Sequence, residues 1–529
     1  MMRPFNLSSV LASLTAIALT ACASPAQDER ATLPSGDCAA LVGMQLDVGG
    51  VVESATLINA GENWQPEGIP IPLPVAKSVC VVNVALRPVE GSDINAAVWL
   101  PIEADWNGSF VASGNGGFSG SALMPQLMAY RALASGYAGA GTDSGHEGAA
   151  EDASWALNNP VAIEDWAHRA NHVTSEAAKQ LMEVFYGRRP ERSYFTGCSN
   201  GGREALMQAV RYPNDYDGII SGAPATGFTE VMSSFAWNTR VARTPGGELS
   251  PNDLALLNRA VLERCDALDG VRDGVVEHPP SCSFDPAELR CNARNRGACL
   301  TDAQIATVNA IRQGPRTSSG QQIWPGFELS GEPGWNDWIT GESTGQRRMS
   351  ESFFRHMVHS NPEWTLEQFD LDRDYARANA GVGAMIDADN PDLTAFFRSG
   401  GRLLMYTGWL DPAISPQSTI DHFEAIQARA GASHADDMRL FVAPGMNHCG
   451  GGPGPNSFDT LGALDRWVTT GAAPDHLVGE KHSNDIAAFL GRSDSIVRTR
   501  PVCAWPRRAV YRGTGSTDEA ASFTCEAPQ

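Results

Sequence analysis

The chain lacks the features that mark a nucleic-acid binder, a membrane-spanning protein or a zinc-thiolate protein. Its formal net charge is -22 over 529 residues, with 61 acidic against 39 basic side chains. A surface of that sign argues against a nucleic-acid partner and for a soluble, self-repelling protein, but it names no substrate. Past the N-terminus no stretch reaches the roughly 20 apolar residues of a membrane span. None of the 11 cysteines sits in a CxxC pair, and no histidine is suitably interleaved with them, which argues against a metal-thiolate site. "HRANH" spaces His168 and His172 four apart but lacks the glutamate of HExxH; helix packing and surface exposure explain the pair better than a metal. Internal repeats and long low-complexity tracts are also absent.

What is present begins with an export signal. "MMRPFNLSSVLASLTAIALTACASP" has a charged start at Arg3, an apolar run from Leu7 to Ala21 and a small-residue processing site, the layout of a secretory leader. "LTAC" resembles the bacterial lipoprotein signal, which would make residues 1–22 the leader and Cys22 the lipidated first residue of the mature chain, attached to a membrane. Ordinary secretion with cleavage nearby is the alternative. Setting Cys22 aside from the 11 cysteines leaves ten, an even number suited to five disulfides in an oxidising compartment such as the periplasm. Closeness in sequence points to Cys265 with Cys282, Cys291 with Cys299, and Cys503 with Cys525; Cys38, Cys80, Cys198 and Cys449 complete the set.

A chain of this length holds two to four domains, or one large domain with an insertion. Apolar, β-rich runs followed by glycine turns occur at "SFVASGNGGFSG", "SYFTGCSNGG", "DGIISGAPA", "RLLMYTGWLDP" and "RLFVAPGMNHCGG". Helical patterns such as "GREALMQAVRYP" separate several of them, and the alternation predicts an α/β fold with a parallel sheet covered on both faces. From about Phe228 to Asn390 cysteines, tryptophans and Gly/Pro loops replace that rhythm. The expected organisation is therefore a core over 23–227, an inserted lid over 228–390, and the rest of the core with a C-terminal flap over 391–529.

"GCSNG", Gly197 to Gly201, matches GxSxG, the nucleophile elbow in which small residues let a strand turn sharply into a helix and raise the serine hydroxyl. A second match, "GESTG" around Ser343, lies in the lid texture. Only Ser199 has a strand-like run before it and an amphipathic helix after it. A serine nucleophile needs a base, and the base an orienting acid, in the chain order Ser, Asp, His with each in a loop after a strand. Asp411 in "RLLMYTGWLDP" and His448 in "RLFVAPGMNHCGG" satisfy both conditions together. Taken singly, Asp411 also reads as an acid opening a turn before Pro412, and His448 as a surface-loop histidine. Attack on an ester creates an oxyanion, for which the Asn200 amide is one donor and Gly117 or its neighbour Gly116, in "GNGGFSG", the other.

"GCSNGGREAL", "GWLDPAISP" and "GMNHCGGGPG" resemble the tannase and feruloyl esterase family, α/β-hydrolases with a cysteine before the serine and another after the histidine. Its members include feruloyl esterases, tannases and mono(hydroxyethyl) terephthalate hydrolases. The resemblance runs from about Cys38 to the C-terminus. It implies an α/β-hydrolase fold, Ser199 as nucleophile, Asp411 as acid, His448 as base, and a disulfide from Cys198 to Cys449. The chain departs from many relatives at Thr407, where they carry histidine, a difference that bears on substrate more than on catalysis.

"CDALDGVRDGVV" puts Asp266, Asp269 and Asp273 on a glycine-bearing loop just inside the Cys265 and Cys282 positions. Hard oxygens on a constrained loop suit calcium, though the spacing is not that of an EF-hand. The resemblance implies a structural calcium here, with backbone oxygens from Val271 and Val275. In the lid, Trp324, Trp335, Trp338, Phe353, Phe354 and Trp364 are candidates for an apolar wall around an aromatic acyl group. Arg355 is a candidate partner for a substrate carboxylate or hydroxyl. The expected activity is hydrolysis of a small aromatic ester, feruloyl, galloyl or terephthaloyl, by an exported serine esterase. The rivals are a general carboxylesterase or lipase and a non-catalytic calcium-dependent surface protein.

Overall fold

Apolar runs bounded by glycine become strands of one ten-stranded sheet. The computed structural model describes residues 36–66, 69–292, 298–492 and 495–528; the leader and Cys22 lie outside them. In chain order the strands are β1 (Gln45–Leu46), β2 (Gly50–Ile58), β3 (Val79–Leu86), β4 (Ile94–Pro101), β5 (Ser109–Ser113), β6 (Ala138–Thr142), β7 (Arg192–Cys198), β8 (Gly218–Gly222), β9 (Arg402–Gly408) and β10 (Met438–Ala443). Their order across the sheet is β1-β2-β3-β4-β6-β5-β7-β8-β9-β10.

From β6 to β10 every pairing is parallel, and "SFVAS" of β5 and "GIISG" of β8 are buried at every position, as strands covered on both faces must be. The other side of the sheet adds antiparallel strands to the parallel arrangement that the alternation predicts. β1 to β4 pair antiparallel, and β4 meets β6 antiparallel. Direction is set by the connections. β3 and β4 are joined by a short loop, which permits only an antiparallel neighbour, whereas parallel strands need a long crossover.

Helices α1 (Leu123–Leu133), α2 (Ala170–Tyr186) and α3 (Asn200–Arg211) supply crossovers between the parallel strands. Between β8 and β9 the described residues add no strand to the sheet and form α4 (Phe228–Val241), α5 (Pro251–Cys265), α6 (Asp302–Gln313), α7 (Gly345–Phe353) and α8 (Leu371–Ala378). α5 starts where its sequence says it should, with Pro251 in the first turn and a reciprocal capping box between Ser250 and Asp253. One apolar cluster of this region, which includes Phe228, Phe235, Phe353, Phe354 and Trp364, also contains Phe118, Ala413 and Ile414 from the core loops. The chain ends in two hairpins, β11 (His476–His482) with β12 (Ile496–Cys503) and β13 (Arg508–Tyr511) with β14 (Phe523–Glu526).

Five disulfides are present: Cys38–Cys80, Cys198–Cys449, Cys265–Cys282, Cys291–Cys299 and Cys503–Cys525. All ten cysteines expected to pair do so, the three pairs close in sequence among them. Among the described residues no helix is long and apolar enough to cross a membrane.

Candidate active site

β7 passes into α3 through a single residue, Ser199, at φ 64° and ψ -124°. L residues rarely adopt this conformation, and it persists where the surroundings over-determine it. They do so here: Ser199 N donates to Gly222 O at 2.9 Å and Ala225 N donates to Ser199 O at 3.2 Å. A side chain at Gly197 would run into the Gly201 carbonyl, so the tight turn demands glycine there.

Asp411 and His448 sit in the loops that follow β9 and β10, at the same end of the sheet as Ser199. His448 Nδ1 and Asp411 Oδ2 are 2.7 Å apart, with the aspartate side chain fully buried. The second oxygen, Oδ1, accepts the Ala413 and Ile414 amides at 2.8 and 2.9 Å. The carboxylate is therefore fixed in place and presents one oxygen to the imidazole. Trp338 stands edge-to-face against the His448 ring at 5.4 Å. The Cys198–Cys449 disulfide, with Cα atoms 5.9 Å apart, joins the serine turn directly to the histidine loop. Neither Ser199 Oγ nor His448 Nε2 makes a hydrogen bond among the described residues, a looseness common before substrate tightens such sites.

Beside Ser199 lies the "GNGG" loop. Gly117 has φ +56°, and a Cβ there would meet the Ala150 carbonyl. Its own carbonyl accepts Trp166 Nε1 at 3.2 Å. Gly117 and Asn200 both line the pocket at Ser199, whereas Gly116 does not.

That pocket is walled by Phe228, Val231, Met232 and Phe235 from α4 and by Trp338 and Met349. The α4 residues recur at i, i+3, i+4 and i+7, the spacing of one helix face, and that signal in "FTEVMSSF" was available in the sequence. The structure places the expected substrate contacts elsewhere. Phe353 and Phe354 are fully buried and do not line the pocket; Phe353 packs behind Phe228, and Phe354 packs against Trp364 and Phe369. Arg355 is held by the Trp364 carbonyl at 2.8 Å and by Glu351 at 2.7 Å. Phe353 lies one turn after Met349 on the same face of α7 and is screened from the pocket by Phe228, whereas Phe354, one residue on, turns toward Trp364 and Phe369. Of the six lid aromatics, only Trp338 reaches the wall; Trp324, Trp335 and Trp364 are buried away from it.

Ser343, in the second GxSxG, is exposed on a loop with no strand before it, and its carbonyl accepts Arg348 Nη1 at 2.6 Å. His168 is buried against the Tyr212 hydroxyl at 2.9 Å, and His172 stacks on the Tyr212 ring and meets Asp215 at 2.7 Å. Both are packing histidines.

The acidic loop closed by Cys265–Cys282 turns its carboxylates inward. Asp266 accepts the Asp273 and Gly274 amides, each at 3.2 Å, Asp269 accepts the Val271 amide at 3.0 Å, and Asp273 accepts the Val275 amide at 3.2 Å. Burial, with the neighbouring Asp273 charge adding to it, pushes the Asp269 pKa up. A hard cation would relieve that repulsion, so the donor chemistry fits calcium. A local cation is already present, however: Asp273 is paired with Arg500, and Arg498 stands 3.4 Å away. Among the described residues no three Asp, Glu, His or Cys side chains converge as a ready-made metal cage.

This geometry has counterparts among known proteins. Residues 80–526 match the family described as tannase and feruloyl esterase. An uncharacterised esterase of Xanthomonas campestris pv. campestris is 35% identical, covering 97% of this chain and 93% of its own. A mono(2-hydroxyethyl) terephthalate hydrolase of Piscinibacter sakaiensis is 32% identical, covering 83% of each. The crystal structure of feruloyl esterase B from Aspergillus oryzae superposes with a TM-score of 0.82 at 28% identity, covering 90% of this chain and 97% of that one. A family match over most of the chain, together with relatives aligned nearly end to end, shows that the chain belongs to the tannase and feruloyl esterase family of carboxylic ester hydrolases.

Proposed function

We propose that the protein is an exported serine esterase that cleaves esters of aromatic carboxylic acids through an acyl-enzyme. The observation that carries this reading is the apolar pocket opening directly on Ser199, walled by Phe228, Phe235 and Trp338. Beyond Gly117, Ser199 and Asn200 its lining is apolar, with three aromatic rings close to the serine, which suits an aromatic acyl group. The names of the feruloyl and terephthalate ester hydrolases above support the same substrate class.

In this reading Ser199 Oγ attacks the ester carbonyl while His448 Nε2 takes its proton. Asp411, bonded to Nδ1, holds the ring in the tautomer that leaves Nε2 free to accept, and stabilises the imidazolium that forms. The Gly117 and Asn200 amides receive the developing oxyanion. His448 then protonates the departing alcohol, and water enters by the same steps in reverse roles to release the acid. Trp338, against the imidazole, keeps bulk water from that face.

A panel of methyl ferulate, methyl gallate, a hydroxyethyl terephthalate monoester and methyl butanoate tests the acyl preference. The aromatic esters are expected to exceed the butanoate in kcat/KM by at least about tenfold, from the ring area they bury. A preference for butanoate would favour a general carboxylesterase.

The acidic loop is proposed to bind a structural calcium through Asp266, Asp269, Asp273 and the carbonyls of Val271 and Val275, on a segment that carries none of the three triad residues. Chelation is then expected to lower Tm and added calcium to restore it by mass action. An unchanged Tm would assign the loop's charge balance to Arg500 and Arg498 alone. Export is supported by the leader pattern and the five disulfides, and lipidation at Cys22 remains part of this proposal.

A further inference from the structure

Beneath the two proposed oxyanion donors lies a carboxylate that the reaction does not consume. Glu204, one turn into α3, is fully buried. Its Oε2 accepts the Asn115 amide at 2.9 Å, and its Oε1 accepts Asn200 Nδ2 at 3.0 Å. Asn115 belongs to the loop that carries Gly117, and Asn200 carries the other donor. One side chain therefore spans both halves of the cradle.

The rest of the network leaves these groups little freedom. Asn115 Nδ2 donates to Thr142 O at 2.7 Å and to Ser144 Oγ at 3.1 Å, and Gly114 N donates to Thr196 O at 3.0 Å. Asn200 Nδ2 is shared with Asn115 O at 3.3 Å. The buried Arg203 donates Nε to Asn200 Oδ1 at 2.6 Å and Nη1 to the Ala167 and Ile386 carbonyls, each at 3.0 Å. Arg203 thereby orients the Asn200 amide with its nitrogen toward Glu204. The loop approaches so closely that a Cβ at Gly114 would run into Glu204 Oε2. Burial pushes the Glu204 pKa up to about 7, with the Arg203 charge opposing. A buried acid is a poor way to gain stability, since an apolar side chain of similar volume often does as well or better. Its two directed acceptor oxygens give it a different use.

We propose that Glu204 is a positioning residue for the oxyanion hole, its two oxygens fixing the 114–117 loop against the head of α3 so that the Gly117 and Asn200 amides serve one oxygen. This rests on Ser199 being the nucleophile. Loss of one oxyanion donor costs about 10²- to 10³-fold in kcat, and a displacement of about 1 Å about 10²-fold.

Glu204→Gln keeps an acceptor for the Asn115 amide but sets a donor against Asn200 Nδ2; Glu204→Ala removes both acceptors. On methyl ferulate, with sites counted by fluorophosphonate end-point titration, kcat of Glu204→Gln is expected to fall about 10- to 100-fold. KM should stay within about twofold, because the ground-state ester makes little use of the hole. Affinity for a trifluoromethyl ketone transition-state analogue should fall in parallel with kcat. A lower Tm with kcat per titrated site and analogue affinity unchanged would show a merely structural role and overturn the proposal; if Glu204→Ala does not fold, the Gln variant decides. Ser199→Ala in the same assay separates the two readings. Activity retained there removes the nucleophile assignment, whereas an inactive Ser199→Ala beside an unaffected Glu204→Gln removes only the positioning role.

Discussion

Ser199→Ala is expected to reduce ester hydrolysis by about 10⁵- to 10⁶-fold, the loss typical of removing a triad nucleophile, while Ser343→Ala leaves it within about twofold. Both serines sit in GxSxG, so composition does not separate them. Backbone context does. Ser199 occupies a strained turn between β7 and α3 with its amide tied to the end of β8 and its carbonyl to the loop that follows, and it lines the apolar pocket. Ser343 lies on an exposed loop, held by Arg348, and does not line that pocket. Residual activity in Ser199→Ala should come from the oxyanion donors and substrate binding alone. Equal losses in the two variants would mean that the nucleophile has been misassigned.

The second large effect is expected from the cysteines flanking the proposed nucleophile and base. Cys198–Cys449 closes a sequence separation of 251 residues, and Cys503–Cys525 closes 22. In the chain-entropy picture these are worth about 5 and 3 kcal/mol respectively, with wide scatter among measured cases. Stability is not the main difference. Cys198 is adjacent to Ser199 and Cys449 to His448, so releasing the bridge frees the proposed nucleophile and base to move relative to each other, and a shift of about 1 Å can cost roughly a hundredfold. Cys198→Ala with Cys449→Ala is therefore expected to lower kcat about 10- to 100-fold in folded protein, whereas Cys503→Ala with Cys525→Ala lowers Tm and leaves kcat within about threefold. Peptide mapping of unreduced enzyme should recover the Cys198–Cys449 pair. Free thiols at both positions in fully active enzyme would contradict the account.

The parts of the site legible in the sequence are those where the backbone makes a demand that few residues meet. The Ser199 turn needs glycine at 197, so "GCSNGG" announces itself. Asp411 and His448 follow apolar runs that form the parallel strands β9 and β10, and a strand leads its next loop to one edge of the sheet whatever the distant contacts are. Cysteines close in the chain pair locally. Cys198 and Cys449 are far apart in sequence, and only the family resemblance joined them. What was not legible depends on how elements dock. Phe353, Phe354 and Met349 are all apolar and lie within a few residues of one another, yet only Met349 faces the pocket; the seating of α7 decides this. The antiparallel half of the sheet is hidden for a similar reason, since a buried apolar run is compatible with either strand direction. Glu204 reads as an ordinary helix glutamate in "GGREAL" until the fold buries it beneath the glycine loop.

Ser199, and no other group, is expected to carry the acyl chain. The most direct test is rapid acid quenching of enzyme with excess methyl ferulate, followed by mass mapping of the modified peptide. The account predicts a feruloyl adduct on Ser199, present in wild type, absent in Ser199→Ala, and accumulating in a burst when deacylation limits the rate. An adduct on any other residue, or steady turnover in Ser199→Ala with no adduct, would contradict it.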